Sequence, residues 1–144
     1  NNQHGSWRFA KNEKEFIDQI SLAGFNTLHM ANKRVKEKIS LLSSVETLLI
    51  PDGASAMNVL FARNPKSVII LDTGLPETFF LFTKFWIQYI FPDCKVEYVK
   101  SDRPQHLEVV INEGMVGHKL GAFVPFRINT EAVKQAINKK REEA

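Results

Sequence analysis

The chain has 144 residues, one domain's worth, with 44% hydrophobic and 24% charged residues, the balance of a soluble globular protein and not of a disordered or fibrous one. Its formal charge of +3 and pI near 9.0 make it mildly basic, but the excess lies in 134-KQAINKKREEA-144, a solvated helix face and not a nucleic-acid patch. The single cysteine, Cys94, excludes an internal disulfide and a thiolate zinc cluster, and no apolar run reaches the roughly 18 residues of a membrane-spanning helix.

In chain order, 1-NNQHGS-6 resembles a cloning remnant, and the missing initiator Met suggests a piece of a longer protein with one domain over 7–144. Asn12 is placed to cap a helix, with Glu15 at its third position, Phe16, Ile17, Ile20 and Leu22 as its apolar face and Gly24 as its stop. The segment 25-FNTLHM-30 reads as a strand, and 33-KRVKEKISLLSS-44 as a helix with apolar positions at Val35, Ile39, Leu41 and Leu42. A strand at 46–50, a helix from Ser55 to Ala62 and a strand at 67–71 follow. An aromatic helix over 77–91 ends at Pro92, before a strand at 95–100. The remainder reads as a strand at 107–111, an extended piece at 121–126 and a closing helix capped by Thr130. Helices alternating with short, continuously apolar strands predict a Rossmann-like α/β layer, a mostly parallel sheet with helices on both faces.

In such a sheet, ligands bind beyond the carboxyl ends of the strands, where 51-PDGAS-55 falls. Gly53 lets the backbone turn and approach a ligand, Ala54, Ser55 and Ala56 keep the first helical turn slim, and free N–H groups there favour an anion. Asn58 follows Ser55 by three residues and points near the same mouth. The alternative is plain: Asp52 or Ser55 caps the helix, and Gly53 only shapes a turn. The loop carries neither a dinucleotide fingerprint nor a Walker A pattern. Asp72 at the end of the next strand is placed either to bond ribose hydroxyls or to form a turn before Thr73-Gly74, and Glu77 is either a site acid or a helix-start acid. His29, His106 and His118 lie at unrelated spacings, which predicts no metal site.

The run Asp52-Gly53-Ala54-Ser55-Ala56-Met57-Asn58, then Val59-Leu60-Phe61 and the strand Ser67-Val68-Ile69-Ile70, resembles the hallmark of glycosyltransferase family 61, His-Gly-Ala-Gly-Leu-Thr-Asn followed by two apolar residues and Phe. Arg8, Asn12-Glu13, Gly24-Phe25 and the helix at 33–44 follow the order of the family's upstream features, and the resemblance covers roughly residues 8–86. It implies the C-terminal half of a GT-B-type, inverting glycosyltransferase of the capsular polysaccharide biosynthesis type. Such a domain holds a nucleotide-sugar donor as substrate, without a cofactor or an essential metal, and works with a saccharide acceptor and an N-terminal domain absent here, or a dimer mate. Gly53, Ala54 and Ser55 would face the diphosphate, Asn58 would fix the loop or touch the donor, and Asp52, Asp72, Glu77 and Arg8 complete the implied donor site. Its place would be cytoplasmic, at or near the inner face of the membrane.

The family His is Asp52 here, which sets a negative charge where the diphosphate belongs. The second Gly is Ser55, and the Leu-Thr pair is Ala56-Met57. A second reading is therefore a non-catalytic interaction domain with a decayed nucleotide pocket. The aromatic helix favours it, since Phe79, Phe80, Phe82, Phe85, Trp86, Tyr89 and Phe91 exceed what one buried face holds. A receiver-like domain is a weaker third reading, because no acidic cluster follows an early strand.

Overall fold

A computed structural model describes residues 10–102 and 127–143. The strand expected at 107–111, the extended piece at 121–126, Arg8, His106 and His118 lie outside the described residues.

Among the described residues, three parallel strands form a sheet: β1 (Thr47–Pro51), β2 (Ser67–Leu71) and β3 (Lys95–Val99), in spatial order β1-β2-β3. The described α-helices that flank them are α1 (Glu13–Leu22), α2 (Val35–Leu42), α3 (Glu77–Ile90) and α4 (Thr130–Glu142), with a 3-10 helix at Ala54–Phe61. The register aligns Leu48 with Val68 and Val96, and Leu49 with Ile69 and Glu97. Because side chains alternate along a strand, this register separates two cores. On one face Leu48, Ile50, Val68, Ile70 and Val96 pack with Leu42 of α2, Ala56 and Val59 of the 3-10 helix, and Phe80 and Ile87 of α3. On the other, Ile69, Leu71 and Val99 pack with Phe16 and Ile20 of α1 and Val133, Ala136 and Ile137 of α4. β2 is buried at all five positions, as expected of a β-branched run at the centre of a parallel sheet.

The local details correct several expectations. Asn12 occupies the cap position of α1 but makes no cap bond. Its buried amide instead donates to the Ile128 carbonyl at 2.9 Å and accepts the Ile128 N–H at 2.9 Å, clamping the start of α1 to the residue that leads into α4. α1 ends as its sequence predicts. Gly24 has φ +89°, its N–H bonds to Ser21 and that of Phe25 to Ile20, the pair of reversed bonds that closes a helix on a left-handed residue. α4 begins at Thr130, and the cap is Asn129, whose side chain accepts the Ala132 N–H at 3.0 Å. An amide one residue earlier reaches the third free N–H, so Thr130 itself becomes helical.

Segment 25–30 is not a strand in this structure and joins no ladder among the described residues. The helix expected at 55–62 is a 3-10 helix, and its length of 8 residues is unusual for that geometry. Its buried residues explain it. Ala56, Val59 and the following Ala62 recur every three residues, which three residues per turn align along one edge.

Cys94 is buried before β3, and burial pushes its thiol up to about 11 from an ordinary 9.0, partly opposed by the charge of Lys140. The folded value lies above the unfolded one, so between pH 9 and 11 the unfolded chain loses this proton first and stability falls as pH rises. At pH 8 a maleimide is expected to label the native protein at least about tenfold more slowly than the urea-unfolded chain, a difference that mass spectrometry reads directly.

Candidate functional site

β1 leads straight into the Asp52–Ser55 loop at the carboxyl edge of the sheet. The Asp52 N–H donates to the Leu71 carbonyl at 2.8 Å, so the loop leaves β1 still attached to β2. Gly53 then turns at φ +110°, ψ −150°, a conformation essentially restricted to glycine, and a β-carbon there would meet Leu75 Cδ1 at 3.4 Å. From that turn the 3-10 helix starts, and the Ala56 N–H closes its first turn on the Gly53 carbonyl at 3.0 Å.

Asp52 is buried, and its Oδ1 accepts the N–H of Gly53 at 2.9 Å. One of the three amides that the resemblance assigns to a diphosphate is therefore turned onto the residue that replaces the family His. Ala54 and Ser55 are exposed at the start of the 3-10 helix. Asn58 donates its side-chain N–H to the Ser55 carbonyl at 3.0 Å.

Asp72 stands at the same edge, one strand over, and closes a turn. Its Oδ1 accepts the Gly74 N–H at 2.8 Å and its Oδ2 accepts the Ser101 N–H at 3.2 Å, while the Ser101 hydroxyl donates to the Asp72 carbonyl oxygen. The Thr73 hydroxyl donates to the Asp52 carbonyl at 3.2 Å. Hydrogen bonds thus run from the end of β1 through the end of β2 to the exit of β3. Sequence reasoning missed Thr73 and Ser101. Thr73 had a signal in the strand-ending Asp-Thr-Gly, whereas Ser101 had none, because only the fold brings it across 29 residues to Asp72. Glu77 is exposed at the first position of α3, where a carboxylate favours the helix dipole.

Among the described residues, a trough of about 2160 Å³ runs from this loop down the side of β1 away from β2. Asp52, Gly53, Ala54, Ser55, Asn58 and Thr73 line its upper end. Asp72 and Glu77 do not line it, and Arg8 lies outside the described residues. Small-molecule pockets measure roughly 300–1,000 Å³, so among the described residues the trough is an open flank of the sheet with a candidate site at its head. Among the described residues no cluster of His, Cys, Asp and Glu is placed to hold a metal ion.

The site and the fold thus define an α/β domain whose glycine turn opens at the carboxyl edge of a parallel sheet. Residues 1–70 match the model of the family described as Glycosyltransferase 61, a stretch that contains α1, α2, β1, the loop and most of β2. Over this stretch, 70 of its 144 residues, the chain is similar to the glycosyltransferase 61 family. No curated protein and no solved structure gives a significant match to the chain. Among the described residues, no helix is long and apolar enough to cross a membrane.

Proposed function

We propose that this chain is the donor-binding, C-terminal Rossmann-like half of an inverting GT-B-type glycosyltransferase that uses a nucleotide sugar in capsular or surface polysaccharide synthesis. One observation carries the reading. The family match runs through the glycine turn at the carboxyl edge of the sheet, where parallel α/β folds take their ligands. The N–H groups of Ala54 and Ser55 would face the donor diphosphate and stabilise the leaving nucleoside diphosphate as charge develops on it. Asn58 would hold these amides in place through the Ser55 carbonyl. Sugar transfer would take place in a cleft with a second domain, which would also supply the catalytic base and the acceptor site.

Calorimetric titration of the chain with UDP, GDP and CMP tests this. Saturable binding of at least one nucleotide is expected, and Ser55→Asp, an exposed change that adds a charge at the amides, is expected to weaken it about tenfold. No heat with any of the three at millimolar concentration would sink the donor reading.

A second reading is favoured by α3. Its outer face carries Phe79, Phe82, Phe85 and Tyr89, all exposed, with Tyr89 at 80%, while Phe80 and Ile87 fill the core below. A helix apolar all round lies against something on both sides. Under this reading the chain is an interaction domain that docks on an N-terminal domain or a dimer mate through α3, and its nucleotide pocket has decayed at Asp52.

A further inference from the structure

We propose that Thr73 is the positioning residue of the Asp52–Ser55 loop, an assignment that rests on the donor-binding reading. Its hydroxyl locks the peptide between Asp52 and Gly53 and so aims the Ala54 and Ser55 amides at the anion. The need for a lock follows from Gly53. Glycine takes φ of either sign at little cost, so at φ +110° and ψ −150° sterics alone do not choose the pose of the loop. Hydrogen bonds must choose it.

Both ends of this one peptide group are held. The Asp52 carbonyl accepts the Thr73 hydroxyl at 3.2 Å, and the Gly53 N–H of the same peptide donates to Asp52 Oδ1 at 2.9 Å. The carboxylate bond lies within the loop and turns with it. The Thr73 bond comes from the end of the neighbouring strand, 21 residues away, and ties the peptide to the sheet. On the near side the Asp52 N–H is fixed to the Leu71 carbonyl, and on the far side the Gly53 carbonyl accepts the Ala56 N–H. Ala54 and Ser55 lie between these anchors, so a rotation of the Asp52–Gly53 peptide would swing their N–H groups away from the mouth.

Thr73 is itself held. It is buried, and a β-branched side chain has few rotamers to choose from. The backbone on either side is pinned by Asp72, whose N–H donates to the Val99 carbonyl at 3.0 Å and whose carboxylate accepts the N–H groups of Gly74 and Ser101. The pose of the loop is therefore set from the exit of β3, through Asp72 and Thr73, to the end of β1. Thr73 also lines the head of the trough. A hydroxyl has one proton, and here the Asp52 carbonyl takes it, which leaves lone pairs and no donor for a phosphate. Thr73 thus acts through the loop and not by touching the anion.

Thr73→Val, which keeps the shape and removes the hydroxyl, and Thr73→Ser, which keeps the hydroxyl, test the proposal beside the unmutated full chain. In the nucleotide-free protein, amide exchange at Gly53 and Ala56, read by nuclear magnetic resonance, is expected to speed about fivefold in Thr73→Val while β2 and β3 keep their protection. Thr73→Ser is expected to stay within about twofold of the unmutated chain. Calorimetric affinity for whichever of UDP, GDP and CMP the unmutated chain binds is expected to fall by a similar factor of about five in Thr73→Val alone, because binding draws on the fraction of loops already in the competent pose. Affinity lost with exchange unmoved overturns the proposal and makes Thr73 a ligand contact. Faster exchange with affinity unchanged, equal losses in both variants, or protection lost throughout β2 also overturn it. If the unmutated chain binds no nucleotide, the donor reading fails, and exchange at Gly53 and Ala56 alone decides whether Thr73 positions the loop.

Discussion

Asp52→Asn is expected to tighten binding of a nucleoside diphosphate about tenfold at low salt. The substitution is close to isosteric, and the side-chain oxygen can still accept the Gly53 N–H now bonded at 2.9 Å. What changes is charge. A carboxylate about 6 Å from a diphosphate, at an effective dielectric constant between about 20 and 80, opposes it by roughly 1–3 kcal/mol. About 1.4 kcal/mol is a factor of ten in affinity. Calorimetry with UDP and GDP at two ionic strengths checks both the size and the origin of the effect, since screening shrinks a charge effect and leaves a packing effect unchanged. Equal affinity for the two proteins at low salt would mean that the phosphates do not approach this loop.

The largest loss of stability is expected at Asn12. Its amide makes two hydrogen bonds of 2.9 Å to the backbone of Ile128, in a buried setting and across 116 residues of sequence. Asn12→Ala leaves a buried N–H and a buried carbonyl without this partner, and the expected cost is about 2–4 kcal/mol, read as a lower urea midpoint with little change in slope. Asn12→Asp separates the two bonds. The carboxylate still accepts the Ile128 N–H but faces the carbonyl oxygen with no proton to give, so this variant should lose more at neutral pH than below the carboxylate range. If both variants unfold at the midpoint of the unmutated protein, the clamp contributes nothing.

Much of the scaffold was legible because its signals are local. Ser67–Leu71 is a run of apolar, largely β-branched residues, and it is the fully buried central strand. The helix expected over 77–91 with Pro92 as its stop is Glu77–Ile90, and Gly24 stopped α1 through its own positive φ. The site was half legible. Gly53 announced the turn, and the spacing of Ser55 and Asn58 placed the two near one another, where the Asn58 side chain bonds the Ser55 carbonyl. That the Asp52 carboxylate would take an amide of its own loop was not legible, because this depends on a φ of +110° at the next residue. The 3-10 geometry was missed for a related reason. The three-residue recurrence of Ala56, Val59 and Ala62 also fits an amphipathic α-helix, until the sheet below fixes which edge is buried.

By itself the sequence determined the order and type of most elements, the glycine turn after β1 and the family likeness of the first 70 residues. These depend on propensities and short spacings, which act between neighbours along the chain. The tertiary structure decided what contacts at long range decide. It joined Asn12 to Ile128 and Asp72 to Ser101, divided one apolar set into two cores and left Phe25–Met30 off the ladder among the described residues. Each pairing spans many residues, and its free energy comes from burial and hydrogen bonds that exist only once the chain has closed on itself.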